Sequence, residues 1–229
     1  RPILKNSLTA AGNALLNALY PARVRCALCG QEAIVGMDLL CDDCRASLRP
    51  CPPLTCEPPL DGLAAGLVYE GAAAAGIQAF KYGRRTYLAR SFAGRMNVPP
   101  DWRVDCVAPV PLHPLKRWRR GFNQSELLAK ALAGRYSLPV NTALLRRVKY
   151  TRTQTAMRAA ERRANVQNAF AASPAAAGLS VLLVDDVTTT HGTLLACADA
   201  LRRAGAARVY ALCACAADQE PAEETPRYF

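Results

Sequence analysis

Two adjacent carboxylates, Asp185 and Asp186, close the apolar run Val181-Leu182-Leu183-Val184 and open into a hydroxyl-rich stretch ending at Thr193. Four consecutive apolar residues suit a strand buried on both faces, so the acids are expected at its carboxyl end, where open α/β sheets bind ligands. Carboxylates placed there accept hydrogen bonds from vicinal hydroxyls and help hold a divalent cation such as Mg²⁺. Thr188, Thr189, Thr190, His191, Gly192 and Thr193 follow and run into a helical pattern. Their backbone N–H groups and hydroxyls can aim at a phosphate on the helix N-terminus. Phosphate and diol recognition thus fall within one loop. A Walker B strand would need a G-x4-G-K-[ST] partner and a Rossmann unit a G-x-G, and neither occurs in the chain. The remaining alternative is an inert strand-loop-helix whose acids face water.

A second constellation is Cys26 and Cys29 followed by Cys41 and Cys44, two C-x2-C pairs whose four thiolates can converge tetrahedrally on Zn²⁺ with no open position. Such a site is structural, the alternative being four unligated small hydrophobes. Gly30 relieves the backbone after the first pair. Cys51 and Cys56, spaced irregularly, either hold a second metal or none. Cys106, Cys197, Cys213 and Cys215 sit in apolar runs and are read as buried hydrophobes. Clustered cysteine pairs in a chain of 229 residues point to metal in a reducing compartment, the cytoplasm, rather than to disulfides.

Lys+Arg 29 against Asp+Glu 18 gives a net charge of +11, which favours anionic partners. Lys81, Lys116, Arg119 and Arg120 are candidates for neutralising a pyrophosphate or a nucleic-acid backbone. Trp118 interrupts the basic run Lys116–Arg120, and Arg146, Arg147, Lys149, Arg152, Arg158, Arg162 and Arg163 form a second cluster. Such interleaving can track phosphates and stack a base; a solvated face is the plain alternative. His113, set between prolines, is either a general base or a residue that fixes its loop.

These groups need a scaffold, and the texture from Gly66 onward supplies one: short β-type runs alternate with Ala/Leu-rich helical segments, the pattern of a parallel sheet flanked by helices. Strands are expected at Gly66–Tyr69, Val104–Val110, Ser180–Val184 and Val209–Ala214, with helices at Ala73–Lys81, Glu126–Arg135 and Leu194–Ala204. Asn123 with Glu126 reads as a capping box and Gly205 as a C-cap. The domains expected are an N-terminal helix (1–20), a zinc-binding module (21–60), the α/β domain (61–217) and a polar tail (218–229). No apolar stretch approaches the roughly 20 residues needed to cross a bilayer, so no membrane partner is expected.

The acid pair and the hydroxyl stretch resemble the type I phosphoribosyltransferases, whose loop for 5-phosphoribosyl-1-pyrophosphate carries two acids and then Thr-Thr-Gly-x-Thr. His191 stands at the usual glycine position; it tolerates positive φ better than most residues, and Gly192 follows. More of the chain resembles the ComF family of competence-associated proteins: Lys81-Tyr82-Gly83, Pro109–His113, Arg120–Gln124, Glu161–Val166, Ala169-Phe170 and the cysteine pairs. The resemblance implies an N-terminal zinc module before a phosphoribosyltransferase-like domain and a link to DNA uptake in natural transformation. One implied activity is transfer from Mg²⁺-bound phosphoribosyl pyrophosphate, held by Asp185, Asp186 and the threonine loop, to an unidentified acceptor. The alternative is a non-catalytic module that binds single-stranded DNA, or a competence helicase-like protein, on the same fold.

Overall fold

The computed structural model describes residues 25–148 and 169–217. The expected N-terminal helix and polar tail, and Lys149, Arg152, Arg158, Arg162 and Arg163, lie outside them. The chain divides into two compact units, Arg1–Ser47 and Leu48–Phe229.

The first unit carries a short helix, α1 (Asp42–Ala46), capped by the Cys41 side chain, with Asp42 and Asp43 in its first turn. Acids there complement the helix dipole. The second unit is an α/β domain in the order β1 (Gly62–Val68), α2 (Gly71–Tyr82), α3 (Leu88–Ala93), β2 (Cys106–Pro109), α4 (Pro114–Arg120), α5 (Gln124–Tyr136), β3 (Leu145–Arg147), β4 (Phe170–Ala172), β5 (Ser180–Thr188), α6 (Gly192–Arg203) and β6 (Arg208–Ala216). The main sheet runs β1-β6-β5-β2, and every neighbour is parallel. β3 and β4 form a separate antiparallel pair. All four expected strands and three expected helices are present; α1, α3, α4, β3 and β4 were not anticipated, being too short to show a period.

Residues 48–60 belong with the sheet, although their Cys and Pro content groups them with the cysteine module. Pro50 bridges Leu67, and the Cys51 N–H donates to the Gly66 carbonyl at 3.2 Å. Backbone pairing, not composition, decides which unit they join.

The core explains the composition of the strands. Val181, Leu182, Leu183 and Val184 are all fully buried, as expected of a strand covered on both faces. On one face Cys106, Ala108, Val181, Leu183, Val209, Ala211 and Cys213 pack with Leu194, Cys197 and Leu201 of α6. Spacing of three and four residues puts those α6 side chains on one stripe. Each fully buried leucine there contributes about 2 kcal/mol. The four cysteines read as hydrophobes are indeed buried. Gly205 follows α6 at φ 89°, a left-handed conformation that glycine adopts freely, and its N–H satisfies the Arg202 carbonyl. Among the described residues, no helix is long and apolar enough to cross a membrane.

Candidate functional site

β5 does not stop at Val184. The ladder continues, pairing Asp185 with Cys213 and Thr188 with Ala216, because β6 is equally long and offers partners throughout. The acids are therefore ladder residues at the carboxyl end of a central strand. Side chains alternate along a strand, so Asp185 shares the α6 face with Leu183, whereas Asp186 and Thr188 share the opposite one.

Asp185 accepts two hydrogen bonds on one oxygen, Oδ1: from Ser125 Oγ at 2.7 Å and from the Asp186 N–H at 2.9 Å. Burial, then the neighbouring Asp186 charge, raises this carboxyl to about 7; the two hydrogen bonds and Lys81 oppose the rise. Ser125 is placed by the start of α5, where Asn123 Oδ1 accepts from the Ser125 N–H at 3.2 Å and Asn123 Nδ2 donates to the Val110 carbonyl at 3.0 Å. Asn123 is thus the N-cap, as its sequence suggests. Glu126 does not complete the capping box: it pairs with Lys130 at 2.7 Å and Arg117 at 3.3 Å, because two nearby cations outcompete one backbone amide.

Asp186 is buried and ion-pairs with Lys81, Nζ to Oδ1 2.8 Å, with 21% of the lysine and 11% of the aspartate side chain exposed. Burial disfavours the Lys81 charge, but Asp186 and then Asp185 more than offset it, so its pKa is raised. Thr188 Oγ1, two residues along the same face, is buried with no hydrogen-bond partner.

The turn after β5 closes on His191, which adopts φ 57°, ψ −5°. This is the left-handed conformation that glycine supplies most easily and that costs other residues about 1–2 kcal/mol. His191 is buried, and its carbonyl accepts the Leu195 N–H at 2.9 Å, opening α6. The histidine thus keeps the turn that a glycine would make. Its side chain does not cap the helix. The first-turn amides of α6, with Gly192 and Thr193 partly exposed beside Thr190 and the exposed Thr189, suit an anion.

Lys81, at the end of α2, and Lys116, Arg119 and Arg120 of α4 line one cavity of about 350 Å³ together with Tyr82 and Arg84. Arg120 lies over the Tyr82 ring at 5.2 Å, a cation-π contact. Burial lowers the Lys116 pKa, and the Arg147 and Arg120 charges lower it further. An anion would relieve that repulsion. Three of the cavity's basic residues come from α4, a helix with no buried residue. It is held by its caps: His113 Nδ1 accepts from the Leu115 N–H at 3.3 Å, and Gly121 ends it at φ 85°. His113 therefore fixes its loop. Sequence reasoning missed Ser125, Tyr82 and Arg84 as site residues, although Tyr82 lies within the Lys81-Tyr82-Gly83 stretch and Arg84 directly follows it. Nothing in their types distinguishes them from surface residues.

In the first unit, Cys26, Cys29, Cys41 and Cys44 bring their sulfurs within 4.8 Å of one another, and Cys29 and Cys41 stand 3.9 Å apart. A tetrahedron with Zn–S bonds of about 2.3 Å has edges of about 3.8 Å, so the donor set fits zinc. Amides already face the sulfurs: the Cys41 N–H donates to Cys26 Sγ at 3.4 Å, and the Cys44 N–H to Cys41 Sγ at 3.5 Å. Burial works against a Cys26 thiolate, but the Cys41, Cys29 and Leu28 amides outweigh it and bring its pKa to about 6. Burial and the neighbouring sulfurs raise that of Cys44. Gly30, at φ 76°, donates its N–H to the Cys26 carbonyl at 2.9 Å. Among the described residues no other cluster of this kind includes Cys51 or Cys56; Cys56 Sγ instead donates to the Leu60 carbonyl at 3.6 Å.

Residues 119–228 match the phosphoribosyl transferase domain family. The chain is 40% identical over 111 residues, 48% of its length and 49% of the relative's, to DNA utilization protein YhgH of Salmonella typhi. It is 32% identical over 145 residues, 56% of this chain and 61% of the relative, to Competence protein F of Haemophilus influenzae. The chain thus spans about half the length of the Salmonella relative. A solved glutamine phosphoribosylpyrophosphate amidotransferase from B. subtilis, complexed with ADP and GMP, is 24% identical, covering 56% of this chain and 25% of that one at a TM-score of 0.38. The parallel sheet, flanking helices and cysteine cluster together make this a type I phosphoribosyltransferase-like fold with an N-terminal cysteine module.

Proposed function

We propose, from the membership of the ComF family that these relatives and the domain match support, that the α/β unit binds phosphoribosyl pyrophosphate or a related phosphorylated ribose with Mg²⁺. The observation that carries this reading is the juxtaposition of an acid pair, a preserved phosphate turn and a basic cavity, joined by the Lys81–Asp186 contact. The carboxylates would accept the ribose hydroxyls, the His191 turn and the α6 amides would take the 5-phosphate, and Lys81, Lys116, Arg119 and Arg120 would face the pyrophosphate. Hard oxygen donors suit Mg²⁺, and Asp186 beside the unpartnered Thr188 hydroxyl offers them. When bound, the ion would neutralise charge on the pyrophosphate leaving group. Transfer to an acceptor would then rest on positioning and charge stabilisation by these residues.

A role in DNA uptake is proposed from the relatives' names, and a cytoplasmic setting from the cysteine module, which we take to hold a structural zinc. The test is calorimetric titration with phosphoribosyl pyrophosphate and Mg²⁺. Binding by the wild type and its loss in Asp186→Asn supports the reading; no binding by the wild type defeats it.

A second reading has its own observation. Trp118 is 83% exposed on a helix whose last turn holds Arg117, Arg119 and Arg120, a combination that can stack a base and contact phosphates of single-stranded DNA. Charge reversal at Arg119 and Arg120 should weaken binding of an oligonucleotide and flatten its salt dependence. Salt-independent binding, or none, removes this reading. Retention of a competence helicase-like partner in a pull-down should depend on Cys26–Cys44 but not on Asp186 if the cysteine module is an adaptor.

A further inference from the structure

Lys81 serves two neighbourhoods at once. Its Nζ is 2.8 Å from Asp186 Oδ1, and the same side chain lines the cavity with Arg84, Lys116, Arg119 and Arg120. Asp186 cannot readily give up that ammonium: a buried carboxylate stripped of its partner is strongly destabilised. The cavity in turn favours an anion, since Lys81 adds to a group of four other cations. We propose that Lys81 is a transferable counter-ion: a polyanion entering the basic cavity draws its ammonium off Asp186 and thereby opens the acidic end of β5 to a divalent cation.

The proposal rests on the phosphoribosyl pyrophosphate reading and adds an order to it. Without an anion, Lys81 occupies the place where a cation would meet Asp186, so the metal competes with a covalently tethered ammonium. With an anion, Lys81 has a second partner, and the Asp186 carboxylate becomes a ligand. The two events are then linked, and linkage is reciprocal: the anion tightens metal binding by the same factor as the metal tightens anion binding. Ser125 and the Asp186 amide hold Asp185 in place throughout, so only the Lys81 side chain has to move. A four-carbon stem with rotatable donors allows it.

The test uses the full chain as purified, with Mn²⁺ as the metal probe and sulfate as the anion probe, because sulfate complexes Mn²⁺ weakly in solution. Free Mn²⁺ is followed by its electron paramagnetic resonance signal. The expected result is that saturating sulfate tightens Mn²⁺ binding about tenfold, and Mn²⁺ tightens sulfate equally. In Lys81→Met, Mn²⁺ should bind tightly without sulfate, and the coupling should vanish. Lys81→Arg, which keeps the charge, should keep the coupling. Circular dichroism establishes that both variants fold; if Lys81→Met does not, loss of coupling in Lys81→Gln takes its place. Independent binding of the two ions by the wild type, or coupling that survives in Lys81→Met, overturns the proposal and leaves the ligand reading standing. No Mn²⁺ binding in either the wild type or the folded Lys81→Met variant overturns both.

Discussion

Replacing Asp185 by asparagine should make this protein more stable, and the gain should depend on pH. Both hydrogen bonds to Asp185 land on Oδ1, and an asparagine keeps an acceptor at that position; the substitution removes a charge and spares the contacts. The carboxyl stands at about 7 against an ordinary 3.8, chiefly because burial disfavours its ionised form. With the folded value above the unfolded one, the folded state holds the extra proton between those limits. Its contribution is complete below about pH 4 and is lost as pH rises through about 7. At 1.36 kcal/mol per unit the ceiling is about 4 kcal/mol. Asp185 keeps some contact with solvent, and screening brings the expected gain to about 2 kcal/mol at about pH 8. The assay is urea unfolding at a series of pH values, followed by the fluorescence of Trp102, which stacks on Tyr210 at 4.7 Å and so reports on the sheet. Wild type and Asp185→Asn should coincide near pH 4 and diverge toward alkaline pH. A variant less stable than the wild type at about pH 8, or a gain equal at every pH, would refute the reasoning. The same variant should bind Mg²⁺ and phosphoribosyl pyrophosphate more weakly, a trade of function for stability.

Other expectations concern the turn and the metal. His191→Gly should retain the left-handed turn and leave phosphoribosyl pyrophosphate affinity within about threefold, because glycine adopts φ 57° without strain. His191→Val, whose branched side chain resists that conformation, should lose about 2 kcal/mol of stability and most of the binding in calorimetry. If the cysteine module holds zinc, the wild type should release about one zinc per chain to a chromogenic chelator and Cys44→Ser none, and amide hydrogen exchange should then show lost protection in α1, since structural zinc supplies folding energy directly. Unchanged protection in the metal-free variant would contradict a structural role.

Where a residue's type forces its surroundings, the structure was legible in advance. Val181–Val184 is apolar at every position, which only a doubly covered strand tolerates, and the paired cysteines converge because their spacing leaves little else for them to do. The acids' place at a strand end followed from the same run, but its extension to Thr188 did not: the extra pairs depend on the length of β6, which lies elsewhere in the chain. The Lys81–Asp186 pair was illegible for the same reason. Lys81, at the end of α2, reads from sequence as a counter-charge for a phosphate; its pairing with Asp186 emerges only when the sheet brings the two together. Arg84 and Tyr82 carry no signal of their own. Residues 48–60 misled because proline and cysteine content says nothing about which strand a segment will bridge.

α4 contributes no residue to the core, and this bears on how such a chain changes over generations. Surface substitutions away from the core usually shift stability by no more than about 0.5 kcal/mol. Lys116, Arg119 and Arg120 can therefore be exchanged, gained or lost with little risk to the fold, while the cavity they line changes its preference among anions. Asp186, ion-paired with Lys81 in β5, has no such freedom, and exchange of Asp185 is expected to cost ligand binding rather than stability. On the proposed reading, anion preference can drift on the helix while the acid pair at the strand end stays put, so the cavity can change its ligand without passing through an unfolded ancestor.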